Sequence, residues 1–127
     1  MASFRKNIAM DLGTSSVLVY VEDKGLCLEE PSVIAKDTLT DKILSVGKSA
    51  KKLLGRTPGN VVALKPLKDG VIADFNATEE MLSYFLKKSL KKSLFKPDLL
   101  ICVPSKATQI EKRAVLQAAE NAGAHRV

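Results

Sequence analysis

The sequence has little cysteine, a single histidine, no long apolar run and neither of the common glycine-rich phosphate loops, and each absence removes a class of function. Cys27 and Cys102 each sit inside an apolar, strand-like run rather than in a CxxC pair. That spacing supports neither a disulfide framework nor a metal site and predicts two reduced, buried thiols. His125 stands alone near the last residue, without the partners a ligand role would need. The pattern GxxxxGK[ST] fails because "VGKSA" supplies Gly47, Lys48 and Ser49 while position 42, where the first glycine belongs, is lysine. GxGxxG is absent as well, which removes the dinucleotide-binding reading. No stretch approaches the roughly 18 apolar residues of a spanning helix. "MASFRKN" reaches a strand at once, without the apolar core of a secretory leader, so a cytoplasmic location is expected. Internal repeats and low-complexity linkers are missing too.

What is present is an ordinary globular composition, 46% hydrophobic and 27% charged over 127 residues, enough for one domain with a real core. The net charge of +6 is concentrated in "KKSLKKSLFK", which holds Lys87, Lys88, Lys91, Lys92 and Lys96, while the rest of the chain mixes signs. A basic character this local does not call for a nucleic-acid partner.

Residues 7–12 and 17–21 read as two strands, followed by the turn "EDKG" and a third strand around Leu26 to Leu28. Apolar residues on both faces of the second strand (Val17, Val19 and Val21; Leu18 and Tyr20) predict a sheet covered on both sides. "PSVIAKDTLTDKILSVGKSA" contains two alternating runs about a polar turn. A short helix bearing Ala50, Leu53 and Leu54 follows, stopped by Gly55. Val61–Leu64 and Val71–Ala73 read as strands leading back to the first sheet. A longer helix is expected from near Thr78, capped by Thr78 itself or by Asn76 with Glu79, with Met81, Leu82, Phe85, Leu86, Leu90 and Leu94 as its core stripe. "DLLICVP" reads as a buried strand closed by Pro104 and Ser105. Thr108 and Glu111 form a capping box for a last helix carrying Ile110, Ala114, Val115, Ala118, Ala119 and Ala122, stopped by Gly123. "AHRV" begins a further strand that the chain does not complete. The order β-β-β, insertion, α, β, α predicts an α/β fold with a mixed sheet.

The stretch "DLGTSS" between the first two strands carries the most chemistry. A tight hairpin can point successive amides into one concavity suited to phosphate oxygens, with Gly13 permitting close approach and Thr14, Ser15 and Ser16 adding hydroxyl donors. Asp11 can hold the water shell of a Mg²⁺ ion that bridges phosphate oxygens. The same residues also suit a plain polar turn.

After an apolar strand, "DLGT" resembles the first phosphate motif of the actin, Hsp70 and sugar-kinase superfamily. "KGLCLEEPSVIA", "AKKLLGRTPGNVVALKPLKDGVIADF", "MLSYFLKK" and "ICVPS…IEKRAVLQAAENAGA" narrow this to a resemblance to the MreB family of bacterial actins over nearly the whole chain. The resemblance implies an actin-like (ribonuclease H-like) fold: a mixed sheet flanked by helices, with residues 1–30 and 75–127 as part of a first large subdomain and 31–74 as a small α+β insertion. It implies ATP and Mg²⁺ as ligands, with Asp11 on the metal side and Gly13, Thr14, Ser15 and Ser16 as the phosphate loop. Ser15 and Ser16 depart from the family's usual alanine and asparagine, and the shorter Ser16 implies weaker nucleotide affinity. The glutamate that positions the attacking water falls in the family after "AGA", beyond Val127. Glu111 is therefore a capping residue, no catalytic residue is expected within these 127 residues, and the chain reads as an N-terminal portion. The family further implies membrane-associated filaments that govern rod cell shape, with cell-wall synthesis proteins as partners. Leu94 and Phe95, beside Lys91 and Lys92, resemble its element for contact with the inner membrane surface. Leu94 equally completes the helix stripe. The other readings are a sugar-kinase or Hsp70-like ATPase piece using the same hairpin, and a non-catalytic piece acting only by binding.

Overall fold

The computed structural model describes residues 6–13, 15–53, 59–68, 71–90, 96–103 and 107–127. Leu54, Gly55, Leu94, Pro104 and Ser105, named above for element ends and stripes, lie outside them.

Strands β1 (Asn7–Leu12), β2 (Ser16–Val21) and β3 (Gly25–Pro31) form a meander. It is joined in space by β9 (Asp98–Cys102) to give a sheet of order β3-β2-β1-β9. β1 pairs antiparallel with β2 and parallel with β9, so the sheet is mixed, as expected. Between β3 and the long helix lies an insertion with its own antiparallel sheet, order β5-β4-β6, from β4 (Ile34–Asp37), β5 (Ile43–Val46) and β6 (Val61–Leu64). Helix α1 (Lys48–Lys52) follows β5. The expectation that Val61–Leu64 leads back to the first sheet is corrected: it pairs with β4 from Ile34↔Leu64 to Asp37↔Val61. The return is instead made by a two-stranded ribbon, β7 (Leu67–Lys68) and β8 (Val71–Ile72). Pro66 closes that ribbon by accepting the Ala73 amide.

Helix α2 (Phe75–Leu90) begins three residues before the expected start at Thr78, and its cap is Asp74. The Asp74 carboxylate accepts the Ala77 amide at 3.0 Å, and its carbonyl accepts the Thr78 hydroxyl at 2.8 Å. Thr78 is thus bonded back into the first turn and is fully buried. α3 (Gln109–Ala122) starts on the expected capping box, with Glu111 N donating to Thr108 Oγ1 and Thr108 N to the Glu111 carboxylate. Ile110 does not join its core stripe and is 81% exposed. At 100° per residue it points about 130° away from the mean direction of Val115, Ala118, Ala119 and Ala122.

The core joins one face of the main sheet (Ile8, Met10, Val17, Val19, Val21) to α2 (Met81, Leu82, Phe85) and α3 (Val115, Ala118, Ala119). Each large apolar side chain so buried contributes roughly 2 kcal/mol. The opposite face is not covered among the described residues, contrary to the two-sided reading of β2. Tyr20 is 41%, Leu26 51% and Leu100 67% exposed. Helices α2 and α3 lie on the face that carries Val17 and Val19. For the same reason β9 is not a wholly buried strand: Leu99 faces the core, whereas Cys102 is exposed. Cys27 packs half-buried against the core, so the expectation of two buried thiols is corrected. "AHRV" pairs with β9 only through an isolated parallel bridge, Asp98 with Arg126, in which Leu99 N donates to Arg126 O at 2.7 Å; a further strand is not formed among the described residues.

Candidate functional site

Because β1 and β9 are parallel neighbours, their carboxyl ends meet at one edge of the sheet, the position where open α/β sheets place ligands. Asp11 stands there between Leu18 of β2 and Cys102 of β9. Its side chain is on the uncovered face, exposed, and makes no hydrogen bond or ion pair among the described residues. A free carboxylate in this position suits Mg²⁺, which keeps several waters and needs few protein ligands.

The hairpin tip follows directly. The Gly13 amide donates to the Ser16 carbonyl at 2.9 Å. A Cβ at Gly13 would lie 2.8 Å from that same oxygen, closer than side chains pack, so the turn accepts only glycine without shifting. This sharpens one expectation and corrects another. Close approach at Gly13 is real, but its amide is spent inside the turn and does not face a ligand. Ser15 is exposed and Ser16 half-buried opposite Pro31. Thr14, and the membrane-contact candidates Lys91, Lys92, Leu94 and Phe95, lie outside the described residues.

Sequence reasoning missed Ser32. It is fully buried at the end of β3, where its hydroxyl donates to the Gly13 carbonyl at 2.9 Å and its amide to the Ser15 carbonyl at 3.1 Å. The one available signal was a serine set between Pro31 and the apolar run Val33–Ala35. Two residues earlier, Glu30 is 2% exposed and accepts both Lys88 Nζ at 2.7 Å and the Lys48 amide at 3.1 Å. This fastens the insertion to α2. Lys88, although exposed over much of its side chain, is thus tied to a buried carboxylate. The Glu30 hydrogen bond, and then that of the Tyr84 hydroxyl, hold its ammonium above the usual lysine range. A cleft of about 390 Å³ between the insertion and α2 is lined by Lys36, Asp41, Asp74 and Glu80. Lys36 bridges Asp41 at 2.6 Å and Asp74 at 3.4 Å there, so the cleft is a salt-bridged seam rather than a phosphate site.

The sequence pattern of the family described as MreB/Mbl protein matches residues 5–127. The chain belongs to the MreB/Mbl family. It is 54% identical over 121 residues to the cell shape-determining protein Mbl of Bacillus cereus, covering 94% of this chain and 36% of that protein. It is 45% identical over 130 residues to the cell shape-determining protein MreB of Escherichia coli, covering 98% and 38%. Its fold matches the crystal structure of MreB5 of Spiroplasma citri bound to ADP, with a TM-score of 0.87 and 35% identity over 97% of this chain and 37% of that one. A second structure of that protein is bound to AMPPNP. The MamK double helical filament, at 22% identity and a TM-score of 0.80, shares the actin-like fold. The chain thus spans a little over a third of the length of the curated relatives it matches.

Proposed function

We propose that this MreB/Mbl-family chain supplies the first phosphate clamp of an ATP·Mg²⁺-binding, actin-like filament protein that governs rod cell shape by organising cell-wall synthesis. Asp11 faces the metal's water shell, and the tip formed by Gly13, Thr14, Ser15 and Ser16 faces the phosphates. The observation that carries the reading is the glycine-only turn at Gly13 beside an unpartnered Asp11, at the shared carboxyl edge of two parallel strands. Family membership and the nucleotides bound to MreB5 support it. ATP held between two halves would favour the assembling conformation, and hydrolysis, performed by groups outside these residues, would weaken it.

Residues 1–30 and 75–127 form the large subdomain in this proposal and 31–74 the insertion. The division is supported by the change of sheet between Pro31 and Ile34. Lys91, Lys92, Leu94 and Phe95 provide contact with the inner membrane surface. Among the described residues no helix is long and apolar enough to cross a membrane, so such contact would be peripheral.

Calorimetric titration of the full-length protein with ATP, with and without Mg²⁺, tests the reading. Asp11→Ala should abolish the Mg²⁺ dependence of binding and ATP-driven assembly. Unaltered assembly by that variant refutes the assignment.

A further inference from the structure

In a two-residue hairpin turn the flanking residues normally exchange two backbone hydrogen bonds. Here one is made, from the Gly13 amide to the Ser16 carbonyl at 2.9 Å. The other, from the Ser16 amide to the Gly13 carbonyl, is not formed among the described residues. The Gly13 carbonyl accepts instead from Ser32 Oγ at 2.9 Å, and the Ser32 amide holds the next available carbonyl, that of Ser15, at 3.1 Å. Ser32 is fully buried, so both of its donors are shielded from bulk water on its own side. One side chain and its own amide thus draw two tip carbonyls to the β3 side and leave a hairpin amide without its turn partner.

We infer that Ser32 is the positioning residue of the phosphate hairpin: by taking the Gly13 carbonyl out of the turn it frees the Ser16 amide to donate to a phosphate oxygen. An amide that has already lost its internal acceptor gives up no hydrogen bond when an anion arrives. Without the Ser32 hydroxyl, the Gly13 carbonyl would return to its ordinary place as the turn acceptor of that amide, and the turn would close on itself. Ser32 lies between the last residue of β3 and Ile34, the first of β4. The residue that opens the tip is therefore also the entry to the insertion, which ties the shape of the phosphate site to the first strand of the smaller sheet.

The inference rests on the phosphate reading of the hairpin, and the experiment separates the two. In the full-length protein, Ser32→Ala should weaken Mg·ATP and Mg·ADP binding by about tenfold, the worth of one hydrogen bond to a charged acceptor, while adenosine binding is unchanged. Ser32→Thr, which keeps the hydroxyl, should restore most of the loss. A merely structural serine would lower the melting temperature and weaken nucleoside and nucleotide binding alike, and that result overturns the inference. Amide exchange on the unmodified protein provides a measurement free of folding effects. Adding Mg·ATP should protect the Ser16 amide, and exchange there that is unchanged when nucleotide is bound overturns the inference even if Ser32→Ala does not fold. Failure of the unmodified protein to bind Mg·ATP refutes the phosphate reading itself. Normal binding by Ser32→Ala refutes only the role of Ser32.

Discussion

Lys88 Nζ lies 2.7 Å from Glu30 Oε2, joining the last turns of α2 to the end of β3 across 58 positions of sequence. Glu30 is almost wholly buried, whereas the Lys88 side chain keeps 45% of its surface. The other Glu30 oxygen accepts the Lys48 amide at the start of α1. A Cβ on Gly47 would collide with that carboxylate, so the backbone of the insertion closes directly over it. Three separate segments therefore meet on one carboxylate.

Lys88→Met should destabilise the protein by about 1 kcal/mol, because it leaves the buried Glu30 charge with the Lys48 amide alone and because the exposed lysine end limits what the pair contributes. Glu30→Gln combined with Lys88→Met should cost less than the sum of the single variants, since no charge is then stranded. Strict additivity in denaturant melts would contradict the pairing.

Lys36 and Lys88 both hold their protons more tightly in the folded state, Lys36 first through its hydrogen bond with Asp41 and Lys88 first through Glu30. A raised folded value means that the stabilisation is complete below the ordinary lysine value of 10.5 and is lost as pH rises through the folded value. The advantage of the unmodified protein over Lys88→Met should therefore be constant at neutral pH and shrink above about 10.5. A difference in melting temperature that persists unchanged into that alkaline range would rule this out.

Gly13→Ala places a methyl group against the Ser16 carbonyl, which is backbone and cannot swing aside. The expected cost is about 1–3 kcal/mol, together with loss of nucleotide binding as the tip opens. Wild-type melting and wild-type affinity in this variant would show that the approach is looser than 2.8 Å.

Asp74→Ala removes the cap of α2 and one partner of Lys36, and should cost about 1 kcal/mol, mostly through the unsatisfied Ala77 amide. Asp74→Asn, which keeps a capping oxygen, should recover most of it. Equal losses in the two variants would shift the weight to the salt bridge.

Ser16→Asn restores the longer side chain usual at this place in the family and should raise Mg·ATP affinity several-fold, the gain of one added hydrogen bond to phosphate. No gain by calorimetry would mean that the serine hydroxyl already reaches the ligand.

Local chemistry was legible wherever neighbours in sequence are also partners in space. The capping box of Thr108 and Glu111, the stripe from Met81 to Leu86 and the two hairpin strands follow from spacing alone, and the structure contains them. A four-residue step from Ile110 to Ala114 suits a helix stripe, but Val115, Ala118 and Ala119 set the buried direction and leave Ile110 outside it. Asp74 was missed as a cap because the apolar stripe starts later than the helix does.

By itself the sequence determined the mixed α/β order, the separate insertion and the polar glycine-bearing tip after Asp11, since each depends on periodicity or on residues close together in the chain, while its likeness to relatives over residues 5–127 carries membership of the MreB/Mbl family. Tertiary structure alone decided which strand β6 joins, which face of the main sheet α2 and α3 cover, and that Glu30 meets Lys88. It also decided that Ser32, 19 positions from Gly13, holds the tip by its carbonyls. A buried hydroxyl declares its acceptor only once the β2–β3 register has brought two distant segments within 3 Å, and no spacing rule carries that information.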